Sequence, residues 1–429
     1  MSSDHFHDPI GAALESLRER FVADHDGEVA SYIPELARVD PEPFGLALVS
    51  AGGGSYSAGD DRTRFTLQSI SKPFTYALAL CDHGLEAVLD RVGAEPSGEA
   101  YNAISLDEET GRPDNPMINA GAILTCSLVD GRDADTRFGR VLELLSAFAG
   151  RDLEVDESVF DSEATTGHRN RALAHLMFHA EALVGDVDDA LEVYTRQCAL
   201  SVDVRDVATM AATLSNAGTN PVTGDRVVAP EVAEQVMSVM ATCGMYDASG
   251  EWLLRVGLPA KSGVGGGIVA VSPGRFGIAT FSPRLDEQGN SVRGAAALRA
   301  MSTELGLHLL HRTHHLEEEL AAGTVDDRAG ALVVRLSGEL EFTDAERVLR
   351  SLVSGPTPDR PVVLDLDDVR GCDEVASRVL RATATTLQRD GVEVGVVDSH
   401  DRNLLGEGFE DHVDMATACG SFDRSTPGA

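Results

Sequence analysis

Apolar residues recur at helical spacing near the start of the chain, at Ile10, Leu14, Leu17 and Phe21, so residues 10–23 are predicted to form an amphipathic helix. The proline in Tyr32-Ile33-Pro34-Glu35-Leu36-Ala37 demands an extended or turning segment next. Residues 44–50 and 55–58 read as strands joined by Ala51-Gly52-Gly53-Gly54. Residues 64–67 form a third extended piece that feeds a helix running from Ser69 to about Asp82 and stopping at Gly84. From about 85 to 240 the pattern is helical, with apolar stripes over 136–148, 171–182, 187–200, 204–215 and 230–241. Polar loops separate them, among them 114–121 and 162–170. Two β runs follow, 267–272 and 277–282, joined through Pro273-Gly274, and then a helix over 294–310. Strands at both ends of a helical middle predict an α+β domain, an antiparallel sheet assembled from both termini with an all-α insert.

The texture changes at residues 312–327, which read as a linker. Beyond it the order is β-β-α-β-α-β-α on a small scale, with strands at 331–336, 362–366 and 392–397 and helices at 345–352 and 375–389. The expected division is therefore a first domain over 1–311, a small α/β domain over 328–425 and a short tail over 426–429, within a disordered-looking stretch from 421.

Composition narrows the function classes. The net charge is −35 and the pI about 4.6, which argues against nucleic acid and anionic membrane surfaces as partners. The opening Met1-Ser2-Ser3-Asp4-His5 has no signal-peptide character, and no apolar stretch reaches the ~20 residues of a membrane span. The six cysteines include no CxxC pair and read as reduced, mostly buried small hydrophobes. A cytoplasmic protein is expected. Carboxylates are not arranged around the local clusters His5, His7 and His314, His315 as in a metal site, so these histidines read as solvated, and neither a metal nor a cofactor is expected.

Candidate chemistry centres on lysine. Of 35 basic residues only two are lysine, Lys72 and Lys261. Arginine cannot lose its proton in a protein, whereas a buried lysine can, so the positions that keep lysine are candidates for proton transfer. Lys72 closes a Ser69-x-x-Lys72 motif, which places a hydroxyl and an amine three residues apart on one helix face, as a nucleophile and base require. Lys261 opens Lys261-Ser262-Gly263, ahead of Val264-Gly265-Gly266-Gly267. Ser-x-x-Lys early and Lys-Ser-Gly late is the motif pair of serine acyl-enzymes of the β-lactamase and penicillin-binding type.

Several stretches together resemble the serine-dependent glutaminase family, which shares the β-lactamase-like fold. They are residues 32–36, Gln68-Ser69-Ile70-Ser71-Lys72-Pro73, Asn115-Pro116-Met117-Ile118-Asn119-Ala120-Gly121-Ala122, Glu163 to Asn170, Tyr194-Thr195-Arg196-Gln197-Cys198, Cys243-Gly244-Met245-Tyr246-Asp247 and residues 259–264. The resemblance implies hydrolysis of L-glutamine to L-glutamate and ammonia. It implies Ser69 as nucleophile, Lys72 as its base, and the N–H groups of Ser69 and Val264 as oxyanion hole. Tyr246 and Tyr32 would relay protons, and Lys261 would hold the cationic side of the site and help depress the Lys72 pKa. Glu163 would bind the substrate ammonium. Asn119, Asn170, Tyr194 and Tyr32 would serve its carboxylate and amide, and Gln68 would flank the nucleophile. Family members often assemble as dimers or tetramers, so a homodimer or homotetramer is expected. One departure is Leu176, where some members carry a tyrosine.

Residues 328–425 resemble a STAS domain, on Leu336-Ser337-Gly338-Glu339-Leu340 and on Val363-Leu364-Asp365-Leu366 followed by Cys372-Asp373-Glu374. Glu374 stands where that family can carry a phosphorylated serine, so no phospho-switch of that kind is expected, and an unidentified protein partner is. Two other readings stay open on sequence alone: an acyl-enzyme acting on β-lactams or cell-wall peptides, and a decayed enzyme domain that senses a metabolite.

Overall fold

The computed structural model describes residues 8–31, 33–98, 106–107, 109–311, 324–328, 331–353, 358, 360–400, 404–405 and 410–412. The chain divides into two units, one made mainly of residues 14–303 and the other mainly of residues after 310.

Helix α1 (Pro9–Glu19) buries Leu14 and Leu17 and ends sooner than its apolar stripe suggests, in a turn over 20–23. Strands β1 (Gly45–Ser50) and β2 (Ser55–Gly59) form a hairpin, and β3 (Phe65–Thr66) leads into α2 (Lys72–His83) and α3 (Leu85–Leu89). The middle of the unit holds α4 (Asn119–Leu128), α5 (Ala134–Ala149), β4 (Glu154–Val155), α6 (Glu157–Thr166), α7 (His168–His179) and α8 (Val187–Cys198). Next come β5 (Leu200–Val202), α9 (Val204–Ser215), α10 (Pro230–Cys243) and α11 (Ser249–Arg255). The unit closes with β6 (Ala260–Ser262), β7 (Gly267–Ser272), β8 (Phe276–Phe281) and α12 (Val292–Glu304). Four of these helices begin behind aspartates, Asp133, Asp156, Asp186 and Asp203, whose side chains accept first-turn N–H groups.

The main sheet runs β2-β1-β8-β7-β6, antiparallel throughout, so the N-terminal hairpin is completed by strands from the far end of the unit. Both faces are buried. Ala47, Val49, Val269, Val271, Ala279 and Phe281 face one core, which includes α9 lying across β1, β7 and β8. Leu46, Leu48, Ile268 and Ile278 alternate with them and are also fully buried.

Several sequence expectations are corrected. The loop expected over 114–121 gives way to α4 at Asn119, just after Pro116, and the closing helix expected to reach 310 ends at Glu304, ahead of Gly306 at φ +61°. The insert is not all-α: β3, β5 and β4 form a small sheet in it, in strands too short to show alternation. Residues 162–170 are not a loop but the end of α6 and the start of α7, broken only at Gly167. Their polar composition hides the helical period because most of the surface there is exposed.

In the second unit the sheet order is β13-β12-β11-β10-β9, with β9 (Thr324–Arg328), β10 (Ala331–Leu340), β11 (Val362–Cys372), β12 (Val394–Val397) and β13 (Glu410–His412). The β10–β11 and β11–β12 pairs are parallel, as strands joined by helical crossovers require; β12–β13 is parallel too, and β9 is antiparallel to β10. Helices α13 (Phe342–Val353) and α14 (Glu374–Arg389) lie against each other. Alternate residues of β10 and β11, including Val333 and Val363, enter the core. The last expected helix and the tail fall outside the described residues.

Candidate active site

Ser69 lies in one turn of 3₁₀ helix, Gln68–Ser71, which passes directly into α2 at Lys72. The approach is anchored on both sides: Thr66 pairs with Ser201, and Leu67 N–H donates to Leu200 O at 2.9 Å. Gln68, just before the serine, has φ +50°, a region that costs a non-glycine residue about 1–3 kcal/mol. Its surroundings hold it there. Gln68 Nε2 donates to Thr66 Oγ1 at 3.2 Å, and Ser71 Oγ donates to Gln68 O at 2.7 Å. The sharp turn sets Ser69 at a helix start, where the first N–H groups have no intrahelical acceptor.

The late motif lies beside this turn. A Cβ on Gly263 would sit 2.8 Å from Leu67 O and 3.5 Å from Gln68 Cβ, so a glycine is needed for the end of β6 to approach so closely. Val264 follows it. Gln68, Ser69, Asn119, Glu163, Asn170, Tyr194 and Val264 thereby line one cleft of about 330 Å³. The structure brings together seven of the residues singled out from sequence, drawn from segments nearly 200 positions apart.

Both lysines are buried, Lys72 at 1% exposure and Lys261 at 0%. Lys72 Nζ donates to Asn119 Oδ1 at 2.7 Å and to Met117 O at 3.1 Å. Asn119 in turn donates through Nδ2 to Asn170 Oδ1 at 3.0 Å. The acceptors facing Lys72 are neutral, and its burial pushes its pKa down to about 8. Lys261 Nζ donates to Ser262 O at 2.7 Å and lies 3.8 Å from the centre of the Tyr246 ring, a ring that also lies 5.8 Å from Lys72 Nζ. Lys261 is held well below the usual lysine range, first by burial and then by the positive charge at Lys72. The like-charge effect expected at Lys72 is thus felt at Lys261, and desolvation is what lowers Lys72. Tyr246 has φ +56°, so two of the four described non-glycine residues with positive φ, Gln68 and Tyr246, belong to this site.

Glu163 is 7% exposed, and its Oε2 has no hydrogen-bond partner among the described residues. Burial pushes its pKa up to about 7, against a hydrogen bond from Gln68 and the charge of Lys72. A buried acceptor of this kind favours a cationic group entering the cleft. Tyr194 lies on α8 with its ring centre 6.0 Å from Lys72 Nζ. Tyr32 lies outside the described residues.

Several participants carry no signal of their own in the sequence. Ile33, Thr166, Gly167 and Arg169 also line the cleft, although each sits in or beside a stretch that already carried the motif match. Met117 acts through its backbone carbonyl, which side-chain chemistry does not reveal. Cys198, buried and hydrogen-bonded to Tyr194, lies close enough to Glu163 and Lys72 for their charges to affect it.

The antiparallel sheet with its helical insert, and the cleft at the Ser-x-x-Lys turn, define the β-lactamase-like class of fold. The glutaminase family profile matches residues 27–310 and the STAS domain profile residues 324–403. A glutaminase of Corynebacterium efficiens is 42% identical over 395 residues, covering 92% of this chain and 93% of the relative. A glutaminase of Clavibacter michiganensis is 54% identical over 308 residues, 72% of this chain and 94% of its own. The crystal structure of Mglu in its native form is similar at TM-score 0.70 and 42% identity, covering 91% of this chain and 99% of that one. The chain belongs to the glutaminase family, with a STAS domain following the enzyme domain, and is a glutaminase. No described helix is long and apolar enough to cross a membrane.

Proposed function

We propose that the enzyme hydrolyses L-glutamine through an acyl-enzyme on Ser69, with Lys72 as the base. The observation that carries this reading is a fully buried lysine, held by neutral acceptors one helical turn from a serine in the cleft, with a pKa near 8. Ser69 Oγ attacks the side-chain amide carbon and its proton passes to Lys72. The oxyanion is received by the N–H groups of Ser69 and Val264. The tetrahedral intermediate collapses, the C–N bond breaks, and the amide nitrogen leaves as ammonia with a proton relayed from Lys72 through Tyr246 or Tyr32. Water, deprotonated by the same relay, then cleaves the ester to release L-glutamate and restore Ser69.

Glu163 takes the α-ammonium, and Asn119, Asn170, Tyr194 and Tyr32 the α-carboxylate and amide. Gln68 supports the nucleophile turn and touches Glu163. Lys261 sets the electrostatics of the Tyr246 ring. Mglu has been crystallised in a glutamate form, at 40% identity to this chain, which supports L-glutamate as the ligand of the corresponding cleft. The same reading makes this a cytoplasmic homo-oligomer. Unpaired buried cysteines Cys126, Cys198 and Cys243 support a reducing compartment, and exposed Leu176 and Phe178 on α7 support contact between copies. The STAS domain is read as a protein-binding module without a phospho-switch, since Glu374 begins α14 directly after its N-cap, Asp373. The domain division at residues 312–327 belongs to this reading too.

Hydroxylamine tests the mechanism. A γ-glutamyl ester on Ser69 partitions between water and hydroxylamine, giving γ-glutamyl hydroxamate as well as glutamate. Glutamine turnover that continues with no hydroxamate formed, at any hydroxylamine concentration, argues against the ester.

A further inference from the structure

Three helices each bring a side chain to the Lys72 amine or carry it: α2 carries Lys72, α4 carries Asn119, and α8 carries Tyr194. The same three helices meet again at one buried amide. Gln197 Oε1 accepts from Thr75 Oγ1 of α2 at 2.5 Å and from Cys126 Sγ of α4 at 3.5 Å. Gln197 and Cys126 are fully buried and Thr75 is 1% exposed. The spacing ties each junction residue to a site residue on its own helix. Thr75 is three residues after Lys72, Cys126 seven after Asn119, and Gln197 three after Tyr194, all separations that keep two side chains on one helical face.

We infer that Gln197 is a positioning residue for the reaction: its amide locks the register of α2, α4 and α8 and so sets Lys72 Nζ against Asn119 and Tyr194. This rests on the Ser69–Lys72 reading above. Stability alone gives no reason for an amide here. Gln197 Nε2 is buried with no partner among the described residues, a net cost to the fold. An apolar side chain of similar shape removes that cost, and Thr75 is able to turn its hydroxyl to a carbonyl of its own helix. What the apolar side chain cannot do is hold two helices at defined distances from the third. A buried hydrogen-bond junction does so because its geometry is directional, whereas apolar contacts slide.

The test is Gln197→Met in the full-length protein, with kcat and KM for ammonia release from L-glutamine read beside Tm. A positioning role predicts kcat at least fivefold below wild type, KM within threefold and Tm unchanged or higher. A displacement of ~1 Å costs on the order of a hundredfold, so a partial slip falls in this range. A kcat per folded enzyme within fivefold of wild type overturns the inference. So does a kcat loss accompanied by a fall in Tm, which is the signature of a packing residue. If Gln197→Met does not fold, Thr75→Val removes one arm of the junction and is judged by the same criteria. Wild type, run in the same assay, separates this from the parent reading: a silent wild type sinks the Ser69–Lys72 chemistry itself, whereas active wild type with active Gln197→Met sinks only the positioning role.

Discussion

Replacing Asn119 by aspartate changes one atom in the partner of Lys72 and shifts the charge state of the proposed base. Asn119 Oδ1 accepts from Lys72 Nζ at 2.7 Å, so Asn119→Asp sets a carboxylate where a neutral carbonyl stands. At an effective dielectric of about 20, two unit charges at this separation attract by roughly 6 kcal/mol, an upper bound. Carboxylate–cation pairs in proteins shift pKa values by ~1–3 units. The direction is upward, because the carboxylate stabilises the charged ammonium. Lys72 has a pKa of about 8 in the native site, so about a tenth of it is neutral at pH 7. A rise of ~1–3 units cuts that fraction to between about one in a hundred and one in ten thousand. The assay is kcat/KM for ammonia release from about pH 6 to pH 10. The limb that rises with pH, with its midpoint near 8 in wild type, moves to higher pH by at least one unit in Asn119→Asp. The limb's position is the readout, since lost substrate contacts lower the plateau without moving the midpoint. A limb that stays where it was, or moves to lower pH, refutes Lys72 as the base.

Glu163 has a pKa pushed up to about 7, so it gains a proton as pH falls through 7 and then no longer attracts a cation. KM for glutamine is therefore expected to rise below pH 7. Glu163→Gln raises KM by roughly 30- to 1,000-fold, the loss of about 2–4 kcal/mol of charged hydrogen bonding, and leaves it flat over the same range. A pH-dependent KM in Glu163→Gln contradicts the assignment. Gly244 lies between α10 and Tyr246, and a Cβ there would fall 1.7 Å from Ala260 O, a backbone atom with little freedom to move. Gly244→Ala is expected to cost about 1–3 kcal/mol or more and to lower Tm by several degrees in a thermal melt; an unchanged Tm goes against the close approach. In the proposed two-ended clamp, L-asparagine, one methylene shorter, cannot satisfy Glu163 and reach Ser69 together, so kcat/KM is expected about a hundredfold lower than for glutamine, and equal rates refute the clamp.

The chemistry of this chain is legible where residue choice is constrained by protons. Lys72 and Lys261 stand out because every other basic residue is arginine, and the structure places both in complete burial, the environment in which only lysine becomes a base. The sheet is legible from the largely apolar runs over 44–50, 267–272 and 277–282, since strands buried on both faces carry few polar residues. Glu163 is harder to read. It lies on a helix whose neighbours are mostly exposed, so its surroundings look like a loop, and nothing local shows that this one carboxylate turns inward. The strained φ of Gln68 and Tyr246 is invisible because any L residue hides its backbone conformation. Gln197 is invisible for a related reason: its role depends on two helices more than 70 positions upstream, contacts that no local pattern encodes.

Ammonia release from L-glutamine by wild type, Ser69→Ala and Lys72→Arg, measured across pH, tests the Ser69–Lys72 chemistry most directly. Lys72→Arg keeps a positive charge but cannot lose its proton, so it isolates the base from the charge. The wild type is expected to be active, and each variant to lose at least ~10³-fold in kcat at every pH. Lys72→Arg turning over glutamine within tenfold of wild type would contradict that chemistry, because an arginine at that position has no means of activating Ser69.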